Sequence, residues 1–182
     1  EDEGLLSALK AFSMWSLGGV VGEYLDGVCA SGLYEARLGR EEYKGEVATY
    51  CAGYKAEDVP EICALSDHVI FNSPGQHERF RPILEDARKQ GARFDIGLRI
   101  NPLHAEGEVA KYDPCQPHSR LGFPVDQLRT EMLDGVDGLH FHSLCEQDFE
   151  PLKRTWAALE PRIAPFLPRL KWLNLGGGHH IT

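Results

Sequence analysis

Lys10 sits in the apolar run Leu9-Lys10-Ala11-Phe12. A lysine in such a strand either snorkels its ammonium to water or puts its amine to use. Burial lowers the pKa of an amine and frees it to condense with a carbonyl. His140 and His142 flank Phe141, so period-two geometry turns both imidazoles to one face of a strand. Such a pair suits a metal ion, as in His-x-His hydrolases, or a ring packed on a planar cofactor. Arg99, inside Gly97-Leu98-Arg99-Ile100, is costly to bury unless it meets an anion or another acceptor. Arg120, in Ser119-Arg120-Leu121-Gly122, stands beside a turn, either pointing the same way or lying on the surface. Near the end of the chain, Gly176-Gly177-Gly178 follows the apolar run Trp172–Leu175. Glycines after a strand let backbone N–H groups crowd round an anion such as a phosphate. Cys145 follows the His142 segment, as a phosphate-side contact or a small buried thiol.

Those residues need elements to place them. Apolar runs predict seven strands: Ser7–Phe12, Gly27–Ala30, Val47–Cys51, His68–Asn72, Phe94–Asn101, Gly138–His142 and Lys171–Leu175. Amphipathic stretches between them predict helices over Trp15–Tyr24, Leu33–Gly39, Ala56–Leu65, Gly75–Gln90, Val125–Asp134 and Gln147–Phe166. Ser31 is positioned to cap the helix that carries Glu35, and Ser73-Pro74 supplies a cap and a first-turn proline. Strand–helix alternation without reversal implies a parallel sheet. Seven such units predict an α/β fold, a (β/α)8 TIM-type barrel with the eighth strand absent, forming one domain over residues 1–182. Pro102–Pro124 is long, follows a strand and carries four prolines, which makes it a candidate substrate loop. The chain begins without Met and stops just past the glycines, where a helix would complete an anion site. The expectation is a barrel truncated at both ends.

Composition narrows the classes. With 182 residues the chain can bury a sizeable core. A net charge of −9 speaks against nucleic acid, which asks for a basic face, and suits a cationic small molecule. No apolar run approaches the roughly 18 residues of a membrane helix. The five cysteines are odd in number, widely spaced and without a CxxC, as expected of reduced thiols in the cytoplasm.

Together a strand-end lysine, a phosphate-type glycine loop, and histidine and arginine suited to a ring describe a pyridoxal 5'-phosphate site on a barrel. The segments Ala8-Leu9-Lys10, Cys29-Ala30-Ser31 with Glu35, Gly97–Pro102, Gly138–His142 and Leu175–Gly178 occur in the order of the alanine-racemase-like, fold type III pyridoxal-phosphate decarboxylases, which the chain resembles. Within that family, Tyr112-Asp113-Pro114-Cys115, Ser119–Gly122 and His142–Glu146 most resemble the members that act on carboxylated polyamines.

The resemblance covers essentially the whole chain. It implies that Lys10 is the Schiff-base lysine, that His142 stacks on the cofactor ring, and that Gly176, Gly177 and Gly178 hold the phosphate. It implies further that Arg99 contacts the cofactor, that Glu35 is an acid beside the ring, and that Arg120 approaches the cofactor's phenolic oxygen. Cys145 stands where relatives have a phosphate-binding serine, and Val28 where ornithine-type enzymes have an acid. The implied activity is decarboxylation of a cationic amino-acid substrate to norspermidine or spermidine, by a homodimer. The pyridinium partner, a phosphate-holding arginine and a cysteine proton donor would lie beyond Thr182, so this piece is expected to be inactive alone. Rival expectations are a diaminopimelate or other diamino-acid decarboxylase, a non-catalytic pyridoxal-phosphate carrier, and a metal-dependent hydrolase built on His140, His142, His179 and His180.

Overall fold

The computed structural model describes residues 3–104, 106–107, 109–178 and 180. The chain divides into two compact units, Glu1–Phe71 with Gln76–Ile96, and Asn72–Gly75 with Gly97–Thr182.

The first unit is built from βα repeats. Strands β1 (Leu6–Ala8), β2 (Gly27–Ala30), β3 (Glu46–Tyr50) and β4 (His68–Phe71) pair in sequence order, all parallel, with Leu6 opposite Gly27, Val28 opposite Val47 and Ala48 opposite His68. Parallel neighbours need crossovers, which α1 (Gly18–Tyr24), α2 (Leu33–Glu42) and α3 (Val59–Leu65) provide. A fourth helix, α4 (Pro74–Lys89), follows β4 and starts at the expected proline. The core joins Leu9, Val28, Ala30, Ala36, Tyr43 and Val47. Helix α2 lies so close to β2 that a Cβ on Gly39 would stand 2.6 Å from Val28 Cγ2. Tyr54, Phe71 and Phe80 form an aromatic cluster with Phe71 and Phe80 stacked at 6.1 Å.

Aspartates that precede strands tie the sheet's starting edge. Asp26 donates its N–H to Leu5 O at 2.9 Å and accepts the Leu5 N–H on its carboxylate at 2.7 Å. Asp67 repeats the arrangement one pair further on: its N–H goes to Val47 O at 2.9 Å and its carboxylate takes the Val47 N–H at 2.8 Å and Arg40 Nη2 at 2.6 Å. Each carboxylate thus satisfies an amide at the entry to a neighbouring strand, a backbone group that is costly to leave unpaired.

Strand β5 (Asp95–Asn101) opens with two residues in the first unit and continues in the second. There β7 (Gly138–His140) runs parallel between β5 and β8 (Trp172–Asn174), with Arg99 opposite His140 and His140 opposite Asn174. A two-residue strand not foreseen from the sequence, β6 (Phe123–Pro124), also pairs with β5, Ile100 opposite Phe123. Helix α5 (Phe149–Ile163) buries Thr155, Leu159 and Ile163, a four-residue spacing that makes one apolar stripe.

Three local expectations are corrected. The strand expected over Ser7–Phe12 ends at Ala8, because Ala11 and Phe12 both donate N–H to Ala8 O, at 2.9 and 3.1 Å, and close a turn. Lys10 lies in that turn and is exposed, so it lacks the burial a mid-strand position would impose. Ser31 does not cap α2 with its side chain. Instead its own N–H donates to Glu35 Oε2 at 2.7 Å, with Gly32 at the cap position. The helix expected over Val125–Asp134 is two 3-10 turns, Val125–Gln127 and Thr130–Leu133, separated by extended backbone at Leu128 and Arg129. Guanidinium groups take carbonyls a helix would have used. Arg129 Nη1 reaches Asp126 O and Leu128 O at 3.1 and 3.0 Å, and Arg169 reaches Thr130 O and Leu133 O at 3.0 and 3.1 Å.

Candidate functional site

The chemistry-bearing residues lie at or just beyond the carboxyl ends of strands, the end at which parallel α/β folds build sites. In the first unit Lys10 follows β1 and Glu35 lies in the first turn of α2. The Glu35 carboxylate is engaged with the Ser31 amide, which leaves its second oxygen for another donor. Cys29, in β2 opposite Ala8, senses Lys10: burial pushes its thiol up to about 11, against the lowering effect of the Lys10 charge.

The second unit gathers more. Arg99 in β5 is buried and donates from Nη2 to His142 O at 3.4 Å. His140 is buried in β7, its Nδ1 3.0 Å from Asn174 Oδ1. Burial above all, then the positive charge of Arg99, pushes its pKa down to about 3, against the hydrogen bond with Asn174. His142 lies past the strand, half-buried, and its Nδ1 accepts the Gly177 N–H at 3.1 Å. The expected reading of one face for both imidazoles therefore resolves into two settings: one ring held by Asn174, the other by the glycine loop.

That loop is built for glycine at two positions of its three. Gly176 has φ +77° and a Cβ there would stand 2.5 Å from Phe141 O; Gly178 has φ +92° and a Cβ there would stand 2.4 Å from Leu144 O. Both meet backbone, which cannot yield. At Gly177 a Cβ would meet nothing within 4 Å. Two of the amides expected to cradle an anion are already committed, Gly176 N–H to Asn174 Oδ1 at 2.8 Å and Gly177 N–H to His142 Nδ1. Cys145 lies beside the loop, its N atom 3.2 Å from a Cβ built on Gly178. Gln147 fastens the far side, its N–H donating to Gly178 O at 3.0 Å and its Nε2 to Glu106 O at 2.6 Å.

Arg120 is exposed, and what the fold holds there is its backbone: Asn72 Nδ2 donates to Arg120 O and Asn72 Oδ1 accepts the Gly122 N–H, both at 2.8 Å. In the Pro102–Pro124 segment, Asp113 accepts the N–H groups of Gly107 and Cys115 at 2.9 and 2.7 Å, so it organises the loop. Burial and the Asp113 charge push the Cys115 thiol up to about 12. Glu106 pairs with Arg154 at 2.8 Å and His104 at 2.6 Å, and Arg154 holds its carboxyl below the usual range.

Asn72, Gln147 and Asn174 were missed from the sequence. Asn174 alone carried a readable signal, an Asn two residues before a glycine, which is an Asx-turn spacing. For the metal reading, His179 lies outside the described residues, and among the described residues no group of three or more His, Cys, Asp or Glu is placed to hold an ion. Among them, too, no helix is long and apolar enough to cross a membrane.

No family model matches the chain. Over 178 residues, 98% of the chain, it is 35% identical to a carboxynorspermidine/carboxyspermidine decarboxylase of Campylobacter jejuni and 38% identical to a carboxyaminopropylagmatine decarboxylase of a Synechocystis species. It spans 45% of the length of each. The crystal structure of the Campylobacter jejuni carboxynorspermidine decarboxylase, complexed with norspermidine, superposes with a TM-score of 0.84 at 34% identity, covering 98% of this chain and 44% of that one. An alanine racemase from Clostridium difficile, at 12% identity and a TM-score of 0.63, shares the fold. The chain therefore has the alanine-racemase-type barrel fold, incomplete, and is similar along nearly its whole length to somewhat under half of the carboxynorspermidine decarboxylases.

Proposed function

We propose that this chain is the barrel part of a pyridoxal 5'-phosphate-dependent decarboxylase that converts carboxynorspermidine or carboxyspermidine to the corresponding polyamine. The observation that carries the reading is the 35% identity to a carboxynorspermidine/carboxyspermidine decarboxylase across 98% of the chain. The residues fit the cofactor: an exposed amine follows β1, and Gly177 has open space where its side chain would be. That opening lets a phosphate approach the loop, whose Gly176 and Gly177 N–H groups are held by Asn174 and His142. Pyridoxal phosphate, when bound, supplies an electron sink for loss of the α-carboxylate.

In this reading Lys10 holds the cofactor through its amine, His142 offers a ring face, and the glycine loop holds the phosphate with Cys145 beside it. Arg99, Arg120 and Glu35 hold charge and hydrogen bonds around the ring. The active species is a cytoplasmic homodimer, and the remaining length of the relatives supplies the proton donor and the pyridinium partner. The −9 charge favours encounter with a polycation, because opposite net charges raise association rates.

A second substrate, carboxyaminopropylagmatine, is favoured by the 38% identity to the Synechocystis enzyme. The test is direct. The intact protein, mixed with pyridoxal phosphate and reduced with borohydride, is digested and mapped; the expected label is on Lys10. Release of carbon dioxide is then followed with carboxynorspermidine, carboxyspermidine, carboxyaminopropylagmatine and diaminopimelate. Label elsewhere, or turnover of diaminopimelate alone, overturns the assignment.

A further inference from the structure

The glycine loop is held by an arrangement that the carboxylate and lysine chemistry of such enzymes does not require. Gly176 N–H can only donate, and it lies 2.8 Å from the Asn174 side chain. That contact fixes which end of the Asn174 amide faces the loop: the oxygen. The same oxygen stands 3.0 Å from His140 Nδ1. An amide oxygen only accepts, so Nδ1 carries the hydrogen. Asn174 also accepts the Phe141 N–H on its backbone oxygen at 3.0 Å, which locks the end of β7 to the same residue. Two residues beyond His140, His142 takes the next loop amide, that of Gly177.

We propose that Asn174 and His140 are a positioning pair for the phosphate loop, with His140 held as the Nδ1–H tautomer so that it shares the Asn174 oxygen with Gly176. The pair sets where the Gly176–Gly177 backbone turns, and through it where the neighbouring amides point. The depressed pKa of His140 agrees, since a buried imidazole beside Arg99 stays neutral. The link to phosphate rests on the cofactor reading above; the tautomer and its dependence on Asn174 do not.

The experiment uses the intact protein and the variants Asn174→Asp and Asn174→Leu. First, long-range proton–nitrogen spectra of the histidine rings are recorded from pH 5 to pH 8. The expected result is a wild-type His140 ring protonated on Nδ1 and silent across the range; Asn174→Asp keeps the hydrogen on Nδ1 while its carboxylate raises the ring's pKa, and Asn174→Leu loses the tautomer preference. Second, affinities for pyridoxal phosphate and for pyridoxal, which lacks the phosphate, are compared. Asn174→Leu is expected to weaken pyridoxal phosphate about tenfold, the scale of one hydrogen bond lost, and to leave pyridoxal unchanged. In the wild type an Nε2–H ring or a ring titrating near its ordinary pKa overturns the pair, as does equal weakening of both ligands. If the wild-type protein binds neither ligand, the cofactor reading falls, and the spectra of Asn174→Leu alone decide the positioning role.

Discussion

The Nδ1 atom of His142 and the amide nitrogen of Gly177 stand 3.1 Å apart, so an imidazole expected to face a cofactor ring also fixes one turn of the loop expected to hold its phosphate. Ring and loop are then one unit. His142→Phe keeps a flat face but strips the acceptor, leaving the Gly177 N–H unpaired. Gly177 is only half-buried, so water takes up part of that loss, which should sit at about 1 kcal/mol. The dissociation constant for pyridoxal phosphate should rise about fivefold on that scale. His142→Asn, which can restore an acceptor without an imidazole, should recover part of it. An absorbance titration checks both; a His142→Phe protein with wild-type affinity would separate ring from loop.

The three glycines should respond differently to alanine. Gly176→Ala and Gly178→Ala force a side chain against Phe141 O and Leu144 O at positive φ, and each should cost roughly 1–3 kcal/mol of stability. Gly177→Ala meets open space and should leave the thermal midpoint unchanged while weakening phosphate binding. Melting curves beside cofactor titrations distinguish these. A Gly177→Ala protein that melts early would mean the loop packs more tightly than its geometry implies.

How much of this was legible depends on the range of the interaction. The strand order and glycine loop are written in local runs, and the βα rhythm of residues 27–71 was readable because each strand is short, apolar and bounded by polar turns. Lys10 was placed near the right strand end but inside the strand, because Ala11 and Phe12 are apolar enough to extend the pattern. What stops the strand is a backbone turn to Ala8 O, which side-chain hydrophobicity does not encode. The failed helix over Val125–Asp134 has suitable periodicity; Arg169, 36 residues from Leu133, takes two of its carbonyls. Asn72 was invisible for the same reason, since its partner Gly122 lies 50 residues on.

The strand-entry aspartates offer a stability test remote from the site. Asp67→Ala leaves the Val47 N–H without its carboxylate and removes the partner of Arg40 Nη2, while Arg40 Nε keeps Leu65 O at 2.8 Å. The Asp67 side chain is 43% exposed, so water can replace part of the loss, and the cost should sit near 1 kcal/mol. Asp67→Asn keeps an acceptor and should cost less. Urea unfolding midpoints measure the difference; equal losses in the two variants would assign the effect to the Arg40 ion pair instead.

His140 gives the sharpest pH prediction. Its folded pKa is depressed to about 3 from an unfolded value of 6.5, so below 6.5 the unfolded chain binds a proton the folded one refuses. Stability is therefore full above pH 6.5 and falls as the pH drops toward 3, by at most about 1.4 kcal/mol per pH unit. Between pH 8 and pH 5 the loss should reach about 2 kcal/mol. Stopping at pH 5 keeps clear of Glu61 and Glu106, whose folded pKa values lie below their ordinary 4.5 and whose contributions fade only at lower pH. His140→Gln retains a donor for Asn174 but cannot titrate, so its urea midpoint should change less over the same interval, even if the variant is less stable at pH 8. If wild type and His140→Gln lose stability in parallel from pH 8 to pH 5, His140 is not the group that resists protonation, and the burial of its ring against Arg99 does not hold in solution.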